Sequence, residues 1–143
     1  MSEAELITIF WEICAEIPEL ESRNFNVRIN HTSLLQSVLE YCGIEREKYQ
    51  DVYSILCDAR DGKFSRFQVQ TRLISLCLTD QAMDTLFNLF ETESSVAKIA
   101  SILKTITKRK GDAAALAKEG LKAIDTVIAN TEALGVKVIL ICF

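Results

Sequence analysis

The hydrophobic pattern changes period between residues 25 and 43. Apolar and polar residues alternate over residues 25–30, which predicts a strand with one buried face. Apolar residues then recur at helical spacing. The predicted helix is capped by the hydroxyl of Thr32 or Ser33 and ends at Gly43, which can adopt a left-handed turn. Its apolar face consists of Leu34, Leu35, Val38, Leu39 and Cys42.

An amphipathic helix is predicted before that strand. Ser2 and Glu5 have the spacing of a capping box, in which each residue's side chain accepts from the other's backbone N–H. Pro18 is expected to end the helix near Ile17, because proline lacks an N–H and clashes with the preceding turn. A turn is expected at residues 21–24. The predicted inward face is Leu6, Ile9, Phe10, Ile13, Ile17 and Leu20.

Four short helices joined by polar turns are predicted between residues 45 and 111, a segment that shows only helical patterns. Their start signals are, in order, Arg46, the capping box of Ser65 and Gln68, Thr79 or Asp80, and Ser94 or Ser95. The residues expected to point inward include Val69, Leu73, Ile74 and Leu76 in the second helix, and Met83, Leu86, Phe87 and Phe90 in the third.

A long helix is predicted to begin at Asp112 and to stop at Gly135. Gly120 lies inside it at a cost of about 1 kcal/mol relative to alanine, which suggests close approach by a neighbouring element. The almost wholly apolar residues 136–143 predict a buried strand. Its available partner is the strand at residues 25–30. The pattern therefore predicts an α+β, predominantly helical fold.

Charge is unevenly distributed along the chain. The formal charge of −4 gives no overall attraction to nucleic acid. Residues 1–62 hold 12 acidic and 5 basic side chains, a balance of −7, whereas residues 63–143 hold 8 and 11, a balance of +3. The densest cations are Lys108, Arg109 and Lys110. They suit a helix C-terminus electrostatically, and with Lys63, Lys98 and Lys104 they could also contact a polyanion's phosphates.

The cysteines and the N-terminal segment indicate a cytoplasmic protein. Residues 2–20 contain five glutamates and no Lys or Arg, unlike a secretory leader, and no run approaches the roughly 20 apolar residues that span a bilayer. The cysteines lack the paired spacing of zinc or redox sites and are expected to be buried thiols in a reducing compartment. They are Cys14, Cys42, Cys57, Cys77 and Cys142.

Enzyme chemistry is not indicated by the residues. His31, the sole histidine, is expected to donate a hydrogen bond that fixes the strand-to-helix turn rather than to act in catalysis. Glycine-rich phosphate loops and kinase signatures are missing from the sequence. We therefore assign no catalytic, cofactor-binding or metal-binding residue, expect no cofactor, and predict that this segment is not itself an enzyme.

Residues 29–44 contain a motif that is similar to part of a known enzyme family. The strand closing on Ile-Asn-His, the helix with Leu-Leu and the following Tyr-Cys-Gly-Ile resemble the segment beyond motif 2 of histidyl-tRNA synthetases, where the strand reads Leu-Asn-His-Arg. Position 32 is Thr here. With that difference, the runs IFWEICAEIPELESRNFNVRINHTSLL and YCGIEREKYQDVYSIL are most similar to the synthetase-like regulatory region of the general control kinase family, which phosphorylates the alpha subunit of translation initiation factor two.

The resemblance implies a fragment of a class II synthetase-like catalytic fold with a helical insert. Residues 1–43 would supply a core helix, strand and helix, residues 44–111 the insert, and residues 112–143 the core helix and terminal strand, all in one domain. In such synthetases the ATP-binding arginine precedes this segment and the histidine-recognition loop follows it. No amino-acid-binding or ATP-binding residue is therefore transferred to this sequence.

The resemblance also implies a function and partners. In the general control kinase, the synthetase-like region senses uncharged tRNA and regulates the adjoining serine/threonine kinase domain during amino-acid starvation, while supporting a homodimer. Under this interpretation the chain is a non-catalytic part of that sensor, cytoplasmic and without a membrane partner. The candidate tRNA phosphate contacts are Lys63, Lys98, Lys104, Lys108, Arg109 and Lys110.

Two other functions remain open at this point. The chain could be part of an authentic histidyl-tRNA synthetase, although Thr32 argues against this. It could also be a helical protein-interaction module that does not bind nucleic acid. Salt-dependent binding of deacylated tRNA distinguishes the sensor from the interaction module.

Overall fold

A computed structural model describes residues 2–21, 27–90, 96–136 and 139–141. These ranges are predominantly helical with two short strands, which confirms the predicted fold class. The elements in chain order are α1 (Glu3–Glu16), α2 (Pro18–Glu21), β1 (Val27–Ile29), α3 (Thr32–Tyr41), a 3-10 helix (Arg46–Lys48), α4 (Tyr49–Arg60), α5 (Arg66–Ser75), α6 (Asp80–Phe90), α7 (Val96–Ile102), α8 (Lys104–Thr107), α9 (Asp112–Ala133) and β2 (Ile139–Ile141).

The two described strands pair with each other in a parallel arrangement, which the sequence analysis did not specify. Val27 lies opposite Ile139, and Ile29 lies opposite Ile141. A parallel pair needs a long crossover, and here it contains the whole helical region between β1 and β2. Parts of both predicted strands, at residues 25–26, 137–138 and 142–143, lie outside the described residues. The strand pair thus joins the early and the late parts of the sequence.

Helix α1 begins as predicted. The Ser2 N–H donates to Glu5 Oε2 at 2.7 Å, and the Glu5 N–H donates to Ser2 Oγ at 3.4 Å, so the capping box is present. The helix ends at Glu16, next to Ile17. Pro18 then opens α2, where its fixed φ and missing N–H suit a first helical position. Glu21 belongs to α2, so the predicted turn does not begin there.

The predicted inward face of α1 is wrong. Its apolar stripe is between 38% and 58% exposed at Leu6, Ile9, Phe10, Ile13 and Ile17. Helix α1 contacts α9, and its buried residues are Ala4, Thr8 and Cys14. The cause is that hydrophobic periodicity identifies an apolar face without showing what covers it. The side chain of Leu20 lies outside the described set.

Helix α3 is capped by His31 rather than by Thr32 or Ser33. Imidazole Nδ1 accepts from the Ser33 N–H at 3.2 Å, and Thr32 is the first helical residue. The histidine therefore fixes the strand-to-helix turn, but its side chain accepts the hydrogen bond instead of donating it. Asn30 Oδ1 accepts from the His31 N–H at 2.6 Å. Gly43 has φ of +72° after the helix, which confirms the predicted left-handed end.

Replacing His31 by alanine is expected to destabilise the chain by about 1 kcal/mol, because the Ser33 N–H loses its capping acceptor. His31→Asn is the matched control, since asparagine is a preferred cap and restores an acceptor. Urea denaturation followed by circular dichroism measures both free energies of unfolding. Equal losses in the two variants would contradict the capping role.

The centre of the fold is the packing of α3 against α9. Leu34 of α3 is fully buried and lies against Gly120 of α9. A Cβ built on Gly120 would be 2.7 Å from Leu34 Cδ2, far closer than real carbon contacts. The close approach predicted from Gly120 is therefore confirmed. Gly135, with φ of +98°, follows α9 as predicted.

The helical region between α3 and α9 follows its predicted start signals in part. The Ser65 and Gln68 capping box is present, and Thr79 Oγ1 accepts from the Ala82 N–H at 3.2 Å at the start of α6. The predicted fourth helix is two helices, since α7 ends at Ile102 and α8 starts at Lys104. Its predicted caps, Ser94 and Ser95, fall outside the described residues.

One core residue predicted in helix α5 is wrong. Leu73 is fully buried, whereas its neighbour Ile74 is 56% exposed and points away from the core. The helix ends in a Schellman arrangement, because the Leu78 N–H donates to Leu73 O and the Cys77 N–H donates to Ile74 O. Cys77 has φ of +65°, the left-handed geometry that this arrangement requires.

The expectation of buried cysteines holds only in part. Cys14 is buried and Cys42 is half-buried, but Cys57 and Cys77 are exposed. The expectation is therefore wrong for the last two, and Cys142 lies outside the described residues. Exposed thiols on α4 and after α5 show that cysteine spacing does not predict burial. Within the described ranges no helix is long and apolar enough to cross a bilayer.

Candidate nucleic-acid interface

A basic segment, defined as residues 96–111, contains five of the six candidate phosphate contacts and no acidic residue. Buried Ile99, Leu103 and Ile106 anchor it to the core, so its polar residues point outward. The five cations are all exposed: Lys98, Lys104, Lys108, Arg109 and Lys110. The local sequence thus alternates apolar anchors with solvent-facing positive charge.

Helix α8 places two of these cations one turn apart. The Lys108 N–H donates to Lys104 O at 3.2 Å, which closes the short helix. The Arg109 N–H donates to Ile106 O at 3.0 Å and continues the turn. Lys104, Lys108 and Arg109 therefore follow a compact backbone. Lys108 and Arg109 follow the C-terminal end of α8, where the helix dipole favours cations.

Arg109 is positioned by an aromatic ring. Its Cζ lies 4.7 Å from the ring centroid of Tyr41, the last residue of α3. A guanidinium above an aromatic face is a cation–π contact, worth about 0.5–1 kcal/mol at an exposed site. This contact joins the basic segment to α3 and holds the charge above a half-buried ring.

Lys63 is the one candidate cation outside the basic segment. It lies on the turn between α4 and α5, where its Nζ is 2.6 Å from Asp58 Oδ1 and 3.3 Å from Asp61 Oδ2. Hydrogen bonds to these two carboxylates raise the pKa of Lys63 above its usual value. The ammonium remains charged, but two adjacent negative charges compensate it, so it is the weakest candidate for a phosphate contact.

A polar network fixes the geometry beside the basic segment. Glu40 Oε2 accepts from the Tyr49 hydroxyl at 2.9 Å and lies 3.4 Å from Arg46 Nε. Burial and the bond to Glu40 raise the pKa of Tyr49 well above its usual value. Arg46 also lies 3.6 Å from Asp112 at the start of α9. The two ion pairs of Arg46 contribute at most about 1 kcal/mol each, but together with the Tyr49 bond they connect α3, α4 and α9.

A cleft lies between α6 and α8, next to the Tyr41 and Arg109 contact. It consists of two adjoining cavities of about 160 and 270 Å³, which share Tyr41, Gln81 and Thr85 as lining residues. Arg109 lines the smaller cavity, and Asn88 lines the larger. We call this space the α6–α8 cleft. The cleft brings polar side chains of α6 next to Arg109 of the basic segment.

The lining residues of the α6–α8 cleft were not predicted as site residues. Gln81, Thr85 and Asn88 are spaced four and three residues apart, so they share one face of α6. That polar stripe beside the predicted apolar face was the available sequence signal. Cys42 also lines the cleft, and burial raises the pKa of its thiol to about 11, so it stays neutral at pH 7.

His31 lies at a different surface from the basic segment. Besides capping α3, it lines an open, mainly apolar groove of about 590 Å³ between α1, the end of β1 and α9. Ile7 and Val127 form opposite sides of this groove. The lone histidine therefore has a structural partner in Ser33.

No protein-family model matches the chain. Among curated proteins, eIF-2-alpha kinase GCN2 from Homo sapiens is 34% identical over 134 residues, which cover 94% of this chain and 8% of the relative. The chain matches one segment of the eIF-2-alpha kinase GCN2 proteins. GCN2 from Mus musculus is 34% identical and GCN2 from Rattus norvegicus 33% identical over the same length. The resemblance to the general control kinase is thereby confirmed, for a chain that spans about 8% of the length of these GCN2 relatives.

Proposed function

We propose that this chain is a non-catalytic part of a histidyl-tRNA synthetase-like domain that senses uncharged tRNA and regulates a linked serine/threonine kinase during amino-acid starvation. The match to GCN2 over 94% of the chain carries this proposal. The proposal includes an adjoining kinase domain, a homodimer of the whole protein and a cytoplasmic location. It also includes the division into core at residues 1–43 and 112–143 and insert at residues 44–111.

The basic segment supports tRNA as the partner. Five exposed cations without an acidic residue in residues 96–111 give local positive charge in a chain whose net charge is −4. Phosphate contacts of this kind bind RNA without reading its sequence. Five contacts give a slope of log affinity against log salt of at most about −4 to −5. The interaction is therefore expected to be modest and strongly salt-dependent.

The test is a titration of deacylated tRNA against the chain at 50 and 200 mM salt, with Lys108 and Lys110 replaced by glutamine. Removing two phosphate contacts is expected to make the salt slope shallower by about 2 and to weaken binding mainly at low salt. Fluorescence anisotropy of labelled tRNA measures both affinities. The slope matters more than a single dissociation constant, because it reports the number of contacts.

A matched control removes the same charge elsewhere. Lys118 and Lys122 are both exposed on α9. Replacing both by glutamine lowers the net charge by 2, as the test pair does. The control is expected to keep the salt slope. If both double variants change the slope equally, net charge alone explains binding and the basic segment has no special role.

The helical interaction module is a second candidate, supported by the exposed apolar stripe of α1. Phe10 is 58% exposed and Leu6 50%, and large side chains on one surface helix face are typical of protein contacts. Absence of tRNA binding even at 50 mM salt would favour this module over the sensor. Salt-sensitive binding that decreases in the Lys108 and Lys110 variant favours the sensor.

A further inference from the structure

The α6–α8 cleft combines three features within one concave surface. Arg109 stacks over Tyr41 at its edge, with 4.7 Å between Cζ and the ring centroid. Gln81 and Asn88 contribute side-chain amides on one face of α6. The buried side chains of Leu89 and Leu103 form part of its floor. A cation, amides and an apolar floor match the phosphate, base edge and base face of a nucleotide.

The size of the cleft limits its occupant. The larger cavity, of about 270 Å³, adjoins the smaller one of about 160 Å³. Each volume is below the roughly 300–1,000 Å³ of sites for drug-sized ligands, which limits the occupant to about one nucleotide. A base in a duplex is stacked and paired, whereas an unpaired base can be splayed out and bound on its edges. The cleft therefore fits an unpaired nucleotide better than a helical stem.

Arg109 is the one charged residue among the described residues that line the cleft, and it is positive. Arg109 belongs to the basic segment, which contains five cations and no acidic residue. Cys42 has a pKa of about 11 because it is buried, so it adds no negative charge at neutral pH. The Thr85 hydroxyl donates to Gln81 O at 2.8 Å, which leaves its oxygen lone pairs as acceptors. The polar lining thus offers both donors and acceptors to a base edge.

We infer that the α6–α8 cleft binds one unpaired nucleotide of an RNA chain. A phosphate lies on the Arg109 guanidinium, and the base enters beside Tyr41, with its edge on the Gln81 amide. This inference rests on the proposed tRNA-sensing function and adds to it a site for a single-stranded element. The lysines of the basic segment then contact neighbouring phosphates, without reading the base.

The experiment uses the full 143-residue chain, labelled with ¹⁵N, and a four-nucleotide single-stranded RNA as the probe. Nuclear magnetic resonance spectra are expected to show shifts of the Gln81 side-chain amide and of Arg109 Nε on titration. Arg109→Lys keeps the charge but removes the planar fork that holds a phosphate by two parallel hydrogen bonds, and is expected to weaken tetranucleotide binding about tenfold. Arg72→Lys makes the same change above the Phe64 ring, outside the lining of the cleft, and is the matched control that is expected to bind normally.

Gln81→Leu gives a second variant at an exposed position where folding is not at risk. This variant is expected to bind the tetranucleotide about fivefold more weakly, because one amide contact to the base edge is lost. Inorganic phosphate serves as a comparison probe. If phosphate alone reproduces the same amide shifts with similar affinity, the cleft is an anion site and the nucleotide inference is overturned.

Binding of deacylated tRNA separates this inference from the proposed function. Salt-dependent tRNA binding that is unchanged in Arg109→Lys and Gln81→Leu overturns the cleft and leaves the sensor intact. Tetranucleotide binding at Gln81 without tRNA binding supports the cleft and overturns the sensor. If the chain binds neither the tetranucleotide nor tRNA, the cleft inference and the sensor function are both overturned. Unchanged thermal unfolding of the variants is expected and shows that the losses are local.

Discussion

Replacing Gly120 by alanine is expected to destabilise the chain by about 1–3 kcal/mol, the usual cost of overpacking a dense core. The added methyl group would lie 2.7 Å from Leu34 Cδ2 and 3.2 Å from the Leu34 backbone nitrogen. The Leu34 Cγ would be 2.8 Å away, and this fully buried side chain packs within the hydrophobic core. The gain in helix propensity of about 1 kcal/mol offsets only part of this cost.

Urea denaturation monitored by circular dichroism measures the free energy of unfolding. Ala115→Gly provides the reverse change at an exposed position of the same helix and is expected to cost about 1 kcal/mol from propensity alone. If Gly120→Ala instead raises the urea midpoint, the close contact between α3 and α9 is wrong. That result would also remove the packing on which this fold is centred.

A double-mutant cycle tests the contact itself. Leu34→Ala alone is expected to cost about 2–5 kcal/mol through the cavity that it leaves. In the double variant with Gly120→Ala, the new methyl group occupies part of that cavity. The combined loss is therefore expected to be smaller than the sum of the single losses by about 0.5–3 kcal/mol. Additive losses would show that the two residues do not touch.

Local hydrogen-bond chemistry was predicted well from the sequence. The capping boxes that begin at Ser2 and Ser65 both form, because the two partners are three residues apart and need no distant element. Gly43 and Gly135 end their helices as predicted for the same reason. The sequence analysis placed the N-cap of α3 at Thr32 or Ser33 instead of His31, because hydroxyls are commoner caps than an imidazole.

Packing partners could not be read from periodicity alone. The apolar stripe of α1 satisfies every rule for an inward face, yet α9 contacts the side bearing Ala4 and Thr8. Gly120 was an exception, because a glycine inside a long helix has a cost that only a close neighbour explains. A long-range contact was thus predictable where one residue, such as Gly120, has a clear cost in helix propensity. It was not predictable where more than one face of a helix could pack against the core.

The candidate interface was predicted through its charges and missed in its shape. The basic segment is a continuous feature of the sequence, so its five cations were identified without coordinates. Pairing of Lys63 with Asp58 and Asp61 could have been suspected from their proximity in the chain, but not its geometry. The α6–α8 cleft depends on how α3, α6 and α8 meet. No local pattern encodes that arrangement.

Helix α5 provides the other large expected effect, because it places two neighbouring apolar residues in opposite environments. Leu73→Ala is expected to cost about 2–5 kcal/mol, since Leu73 is fully buried and its truncation leaves a cavity. Leu73 also packs in the Schellman end of the helix, where its carbonyl accepts from the Leu78 N–H. Ile74→Ala is the matched control and is expected to change stability by less than about 0.5 kcal/mol, because Ile74 is 56% exposed.

Urea denaturation of the two variants under the same conditions decides between the structure and the sequence pattern. Both residues belong to the predicted inward face, so periodicity alone predicts similar losses for the pair. The structure predicts a difference of at least about 1.5 kcal/mol, from the low end of the cavity cost and the high end of the surface cost. A large loss from Ile74→Ala would show that this face is covered in solution, as an interaction module would require. A small loss from Leu73→Ala would contradict the placement of α5 against the core.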